Sequence, residues 1–436
     1  LKDPKTALAE HLPPLTQQQA FVESSRCLFC YNAPCTNACP THIDVPAFIK
    51  KISTGNLYGS ARTIFESNML GATCSRVCPV QELCEGACVL GAEHEPISIG
   101  RLQRFAMDYA YSSGKPFFKP GKSTGMAVAV IGAGPAGISC AGELAKLGYR
   151  VCVFDKHELG GGLSTYGIIS LREPIEIALA EIEMVKQLGV EFQTGVEVGR
   201  NIQPSDLQAQ YQAVFISAGL GATPELGIPE EEFIDDGLLF VEQSKTGLEQ
   251  LNVGKNVIVV GAGNTAIDCA TIAKRMGAES VTIIYRRSQH EMSAYQHEYE
   301  FALGEGIQFR FLTQPVRVIV EGDAPVALEC VAMKLDAVDS SGRRASSQVP
   351  DSNFTLPADQ IIKAIGQQKP SLAALLGLKT TKGFLDVDAD YETSLPGFFA
   401  GGDCIRSAGS CSTVMAVQDG KLAARAMHKK LSQKVS

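Results

Sequence analysis

Between Gln17 and Arg26, Val45 and Ser53, and Leu57 and Glu66, apolar residues recur at helical spacing with no sustained alternation of period two. The first 120 or so residues therefore predict a string of helices joined by loops. Pro116, Pro120 and Gly121 punctuate a linker, and the pattern then changes. Met126 to Ile131 is a short apolar run opening onto glycines, which predicts a buried strand. Val151 to Phe154, Val257 to Val260 and Val281 to Tyr285 repeat it, and helix-compatible stretches lie between, from Ile138 to Leu147 and up to Arg275. Two further apolar runs end in glycine, Ala213 to Gly219 and Gln360 to Gly366, each placed to close one strand–helix unit and turn the chain toward the other. Gly397 to Asp403 then sets a strand, a glycine pair and an acid before a helical segment from Thr413 to Leu431.

The glycines give the strand–helix units a chemistry. Gly132, Gly134 and Gly137 lie in Gly-Ala-Gly-Pro135-Ala136-Gly between a strand and a helix. That order permits a tight turn, close approach of backbone to a pyrophosphate and close helix–strand packing, with the helix N-terminus favouring negative charge. Asp155 ends the next strand, about 20 residues on, where a carboxylate suits a ribose hydroxyl. A lone glycine motif is weak; here strand, turn, helix and acid stand in register. Gly261, Gly263, Asn264, Thr265 and Ala266 repeat the motif with alanine as the permitted third member. In this second unit Arg286 and Arg287 stand where the first has Asp155. Two guanidiniums can clamp a 2′-phosphate that a carboxylate would repel, so NADPH is favoured over NADH; the alternative is a solvated surface pair. Gly402 and Asp403 are placed for a flavin's ribityl chain, or for a helix or turn cap.

Eight cysteines between Cys27 and Cys88 form two runs, Cys27-x2-Cys30-x4-Cys35-x3-Cys39-Pro40 and Cys74-x3-Cys78-Pro79-x4-Leu83-Cys84-x3-Cys88. Short loops of this kind let soft thiolates converge on an iron–sulfur cube, and a proline after a cysteine stops the helix so the thiolate can turn off its face. The spacing resembles that of a two-cluster ferredoxin. Three other uses stand against it: a disulfide framework, which suits small secreted chains; structural zinc, which prefers paired knuckles with longer spacers; and plain core residues, above all Cys74.

Composition narrows the field further. The 436 residues suggest roughly three domains at about 150 residues each. A net charge of −8, from 47 acids and 39 bases, argues against nucleic-acid and anionic-membrane partners. No stretch approaches the roughly 18 apolar residues of a spanning helix, and residues 1–10 show neither an apolar h-region nor an Arg-rich transit pattern, so a reducing cytoplasm is expected. Of 14 cysteines, the six outside the runs contain no Cys-x-x-Cys, which argues against a redox disulfide beside a flavin.

Taken together, Cys27 to Gln103, the two glycine motifs, Gly161-Gly162-Leu163-Ser164-Thr165 and Ala400-Gly401-Gly402-Asp403 resemble the electron-input half of dihydropyrimidine dehydrogenase, which in bacteria is a separate small subunit. The glutamate synthase small subunit is a close cousin. The resemblance implies an α/β protein: an N-terminal helical iron–sulfur domain (1–123), a Rossmann-like FAD domain (124–223 and 367–436) and a Rossmann-like NAD(P)H domain inserted in it (224–366). It implies FAD held by the first glycine motif with Asp155, Gly162, Leu163, Arg172, Gly402 and Asp403. It also implies two interleaved [4Fe-4S] clusters, one on Cys27, Cys30, Cys35 and Cys88, the other on Cys39, Cys78, Cys84 and Gln103, with Cys74 not a ligand. The segment Gly167-Ile-Ile-Ser-Leu-Arg172-Glu-Pro departs from the Gly-Ile-Pro-x-Phe-Arg-Leu of relatives, which alters the flavin's expected packing. Nothing further in the chain reads as a pyrimidine site. The resemblance therefore implies a partner subunit carrying FMN and more iron–sulfur clusters, where uracil and thymine are reduced at the 5,6-bond; delivery of electrons for glutamate formation is the alternative.

Overall fold

A computed structural model describes residues 3–338, 344–406 and 411–433. The chain divides into two compact units, one of residues 12–165, 175–220 and 369–436, the other of residues 1–11, 166–174 and 221–368. The fold is α/β, an N-terminal helical region followed by two parallel sheets of Rossmann type.

In the first unit the helices start where the side chains can cap them. Thr16 and Gln19 form a reciprocal capping box before Gln17–Ser25, Asp44 accepts from the Ala47 amide at the head of Val45–Ser53, and Asn56 does the same for Gly59 ahead of Leu57–Ser67. Such caps satisfy amides that the helix itself cannot. Phe48, Ile49, Ile64, Leu102 and Met107 fill the core between these helices and Ile99–Ser112. The short helix Gly71–Val77 carries no side-chain cap of its own. Its Ala72 and Thr73 amides donate instead to Glu181 Oε1 at 2.9 and 3.0 Å, a carboxylate on helix Ile175–Lys186 that is 1 % exposed.

The sheet of this unit runs Phe398–Ala400, Ala213–Ile216, Ala127–Ile131, Arg150–Phe154, Glu191–Gln193, parallel throughout. Apart from the edge strand Glu191–Gln193, its strands are near-continuous apolar runs that are buried along nearly their whole length. The edge strand Phe398–Ala400 comes from beyond the other unit's sequence, so one sheet is inserted in the other along the chain. Helix Thr413–Gln433 lies across helix Pro135–Lys146, and at the crossing a Cβ on Gly420 would sit 2.1 Å from the Ala136 carbonyl oxygen. Only glycine fits there.

The second unit repeats the topology with Asp235–Asp236, Gln360–Lys363, Asn256–Val260, Ser280–Tyr285 and Gln308–Phe311. An antiparallel meander of Thr313–Glu321, Ala324–Val338 and Arg344–Pro357 accompanies it. The N-terminal residues, expected within the helical domain, cluster here: Leu8 is buried in the same core as Phe240, Val257 and Ile267, and the His11 ring stacks 5.0 Å from Phe301.

Glu181 joins Ile175–Lys186 to the cysteine-bearing helix Gly71–Val77, so its loss strands two buried amides. Glu181→Leu is expected to cost about 2 to 4 kcal/mol in denaturant unfolding followed by circular dichroism, and Glu181→Gln, which keeps an acceptor, less than half of that.

Candidate functional site

The cysteines are sorted by backbone breaks. Cys39 follows helix Pro34–Ala38 and Cys78 follows Gly71–Val77, each in extended conformation and each before a proline. Both thiols thereby leave the helical face, as the Cys-Pro spacing predicts. Two cavities result. One, of about 370 Å³, is lined by Cys27, Cys30, Cys35 and Cys88 with Ile49, Ile97 and Ile99. The other, of about 340 Å³, is lined by Cys39, Cys78, Cys84 and Gln103, together with Cys74 and Asn68. The runs are thus interleaved: the last cysteine of each lies with the other run's cavity.

Gln103 sits on helix Ile99–Ser112, 8 % exposed. Its Nε2 donates to the Gly71 carbonyl at 2.8 Å, which leaves Oε1 as the atom available to a metal. Asn68 Oδ1 accepts from the Leu70 amide at 2.9 Å, while its Nδ2 is buried with no partner. An orphaned donor at a cavity wall suits a sulfide acceptor. Cys74 packs with Met69, Leu70 and Val128 and shares a hydrogen bond with Cys78 that, ahead of burial, pushes the Cys78 thiol well up. Burial raises Cys27 and Cys84 and takes Cys35 to about 11. Binding any metal here must therefore release protons. Among the described residues no group of three or more His, Cys, Asp or Glu side chains is arranged for a single metal ion. The donor chemistry, soft thiolates around a chamber, fits a cluster better than a zinc knuckle.

The first glycine motif forms a cradle in the same unit. Gly132 turns at φ +99°, and a Cβ there would meet the Ser217 carbonyl oxygen at 2.4 Å. Pro135 opens the helix Pro135–Lys146, with Ala136 and Gly137 in its first turn. A Cβ on Gly134 would meet only the Gly162 Cα, at 3.9 Å, so open space lies above the helix N-terminus. Leu163, half exposed, begins the short helix Leu163–Tyr166 beside it. Asp155 accepts from the Ala133 amide at 2.6 Å and the His157 amide at 2.8 Å, tying the turn to the next strand. Gly402 approaches Ala136, and its amide donates to Asp419 at 2.9 Å. Asp419 also accepts from Tyr391 and pairs with Arg406. Burial raises the Asp403 carboxyl, while Arg406 and a hydrogen bond from Cys411 pull it down. Sequence reasoning missed Asp419; an acid at a buried position of an amphipathic helix was the available signal.

The second motif lies in the other unit. Gly261 repeats the strained turn at φ +126°, with the Ala364 carbonyl oxygen 2.2 Å from a notional Cβ. Helix Asn264–Arg275 begins with Asn264, Thr265 and Ala266, and Asn264 Oδ1 accepts from the Tyr295 amide at 3.3 Å. Gly263 has Ser293 Oγ nearest, at 3.3 Å. Arg286 is exposed, and Arg287 has its Nε buried with no hydrogen-bond partner. Arg172, which the resemblance implies at the flavin, lies in a segment grouped with this unit. Its guanidinium pairs with Asp268 at 2.6 Å and Glu298 at 2.5 Å. Burial pushes Asp268 up to about 6 against the pull of Arg172, and it raises Glu298 as well. Neither carboxylate was singled out from sequence.

A helical cysteine-rich region ahead of two dinucleotide-type folds defines a flavin- and pyridine-nucleotide-dependent iron–sulfur oxidoreductase. Residues 5–115 match the family described as dihydropyrimidine dehydrogenase domain II, 4Fe-4S cluster, and residues 126–420 match pyridine nucleotide-disulphide oxidoreductase. The chain is 34% identical over 452 residues to the glutamate synthase [NADPH] small chain of Escherichia coli, covering 97% of this chain and 94% of that protein. It is also 34% identical over 421 residues to the NAD-dependent dihydropyrimidine dehydrogenase subunit PreT of E. coli, covering 97% and 96%. In fold it resembles Mycobacterium tuberculosis FprA in complex with NADPH, with a TM-score of 0.60, 19% identity and coverage of 71% of this chain and 85% of that one. The chain belongs to the pyridine nucleotide-disulphide oxidoreductase family, in the branch with an N-terminal 4Fe-4S domain that includes these two subunits. Among the described residues no helix is long and apolar enough to cross a membrane.

Removing Arg172 leaves two buried carboxylates without their cation. Arg172→Ala is expected to cost about 3 to 5 kcal/mol in denaturant unfolding, and adding Asp268→Asn and Glu298→Gln to recover more than half of it.

Proposed function

We propose that this chain is the electron-input subunit of a dihydropyrimidine dehydrogenase, with NADPH in the second glycine motif, FAD in the first and a [4Fe-4S] cluster in each cysteine-lined cavity. The observation that carries it is the interleaving, Cys27, Cys30, Cys35 and Cys88 around one chamber, Cys39, Cys74, Cys78, Cys84 and Gln103 around the other. When bound, FAD would accept a hydride from NADPH and release electrons one at a time to the clusters.

The chain's own residues bind and orient. The N-terminus of Pro135–Lys146, with Gly132, Gly134, Pro135, Ala136 and Gly137, would hold the flavin pyrophosphate. Asp155 would take the adenosine ribose, and Gly162, Leu163, Gly402 and Asp403 would border the rest of FAD. Gly261, Gly263, Asn264, Thr265 and Ala266 would hold the NADPH pyrophosphate, and the unpartnered Nε of Arg287, with Arg286, would meet the 2′-phosphate. The partner subunit would carry FMN and further clusters and reduce uracil or thymine at the 5,6-bond, in the cytoplasm.

A second reading has its own support. The glutamate synthase small chain is as similar as the pyrimidine subunit and is named for NADPH, the nucleotide that Arg286 and Arg287 favour. Co-purification of the partner, followed by assay with uracil and with glutamine plus 2-oxoglutarate, separates the two.

Two outcomes test the core of the proposal. Replacing Arg286 and Arg287 with uncharged residues is expected to raise KM for NADPH roughly 10- to 150-fold and to leave that for NADH nearly unchanged; equal effects on both would remove the 2′-phosphate assignment. Cys74→Ala is expected to retain about eight irons per chain, whereas Gln103→Ala alters the EPR spectrum of one cluster or loses it.

A further inference from the structure

Lys421 is 6 % exposed. Its ammonium donates to the main-chain oxygens of Thr41 at 3.0 Å and Ser67 at 2.7 Å. Each of these residues is next in sequence to one that lines the cavity of Cys39, Cys78, Cys84 and Gln103, Thr41 to Pro40 and Ser67 to Asn68. Thr41 Oγ1 lies 3.4 Å from Cys39 Sγ, and Ser67 precedes Asn68, which lines the chamber. Helix Thr413–Gln433 reaches the same chamber through Val414. Val414, Val417 and Lys421, three and then four residues apart, share one face of that helix.

No carboxylate pairs with Lys421 among the ion pairs of the described residues. Glu143, whose charge acts on it, is already bonded to Lys146 at 2.7 Å. Burial pulls the Lys421 amine down to about 8, with Arg425 adding to that and Glu143 and Cys39 opposing it, so the group remains mainly charged at neutral pH. Two carbonyl dipoles offset only part of the cost of burying a cation. A negatively charged group in the chamber would complete the compensation. An iron–sulfur cluster on three thiolates and a neutral amide is such a group, and it becomes more negative when it gains an electron.

We propose that the Lys421 ammonium stabilises the reduced form of the cluster on Cys39, Cys78, Cys84 and Gln103, making that cluster the better acceptor for the electron leaving FAD. The inference rests on the proposed function. The transfer balances without another reactant: one electron leaves reduced FAD and one enters the cluster. The same helix holds the Gly402 amide through Asp419, so one rigid element is anchored at both ends of that step.

The test is an EPR-monitored redox titration of the anaerobically purified full chain, with iron, acid-labile sulfide and FAD counted on each sample. In Lys421→Met, one cluster is expected to become at least about tenfold harder to reduce, a fall of about 59 mV for one electron. The other cluster should shift less, and Lys421→Arg should restore the wild-type value. Unchanged potentials in a fully loaded Lys421→Met, or equal shifts of both clusters, overturn the inference. Should Lys421→Met not load, Lys421→Gln is titrated in its place. Loss of the cluster from both, with Lys421→Arg loaded, makes the lysine a structural strut and overturns the inference too. Wild-type protein without two iron–sulfur centres would instead defeat the proposed function, a result recognisable from the iron count alone.

Discussion

A buried anion and a buried cation stand two residues apart on one helix, and much of their unit is arranged about them. Asp419 is 4 % exposed and Lys421 6 %. Successive residues of an α-helix point about 100° apart, so Asp419, Gly420 and Lys421 address three different neighbours. The carboxylate meets the Gly402 amide, Tyr391 and Arg406. The glycine lets the Ala136 carbonyl press against the helix, and the ammonium reaches the carbonyls of Thr41 and Ser67. Removing one partner of a buried charge costs about 3 to 5 kcal/mol. The helix is thereby tied by polar contacts at both places, through Lys421 to the cysteine-rich region and through Asp419 to the glycine cradle.

The two dinucleotide-type motifs show how one backbone serves two chemistries. Gly132 and Gly261 are strained alike and press against the carbonyl of a neighbouring strand's end, Ser217 in one and Ala364 in the other. The difference lies at the end of the following strand. Asp155 spends part of its acceptor capacity on the Ala133 and His157 amides, which fixes its carboxylate. Arg287 keeps a buried Nε without a partner. The end of the following strand thus carries a carboxylate braced by backbone amides in one unit and a guanidinium with a buried, unpartnered Nε in the other.

Local signals were legible in the sequence because they depend on a few adjacent residues. The strand–glycine–helix units and the N-terminal helices occur within about three residues of where the sequence pattern places them, and the chain breaks at both Cys-Pro pairs. What stayed hidden depends on partners far apart in the chain. Arg172 reads as an isolated cation, and its carboxylates at Asp268 and Glu298 are about a hundred residues away. Leu8 reads as the start of a helical region, yet it is buried with Val257 and Ile267. Glu181 looks like an ordinary acid on a helix and in fact satisfies the start of another one, Gly71–Val77. No periodicity reports such pairings, because hydropathy records which residues are buried and not what they are buried against.

At Cys74 and Gln103, spacing alone and the family resemblance imply different ligand sets. Four cysteines in a row invite one cluster, and that grouping would make Cys74 a ligand and Gln103 incidental. The helix Gly71–Val77 carries Cys74. Its first turn is pinned by Glu181 and by the Gln103 amide on the Gly71 carbonyl, and it ends at Cys78 before Pro79. Cys74 is held within that helix, in the buried cluster of Met69, Leu70 and Val128, whereas Cys78 follows its end, and both line the second chamber. Cys88, ten residues beyond Cys78, follows a run of turns to the other chamber. With Cys88 at the first chamber, the second is lined by Cys39, Cys74, Cys78 and Cys84, and the side chain that enters it from the neighbouring helix is an amide whose nitrogen is already committed. Its oxygen is a harder and neutral donor. A cluster held by that oxygen and three thiolates would carry one negative charge fewer than an all-cysteine neighbour, and that asymmetry would set the two apart electronically.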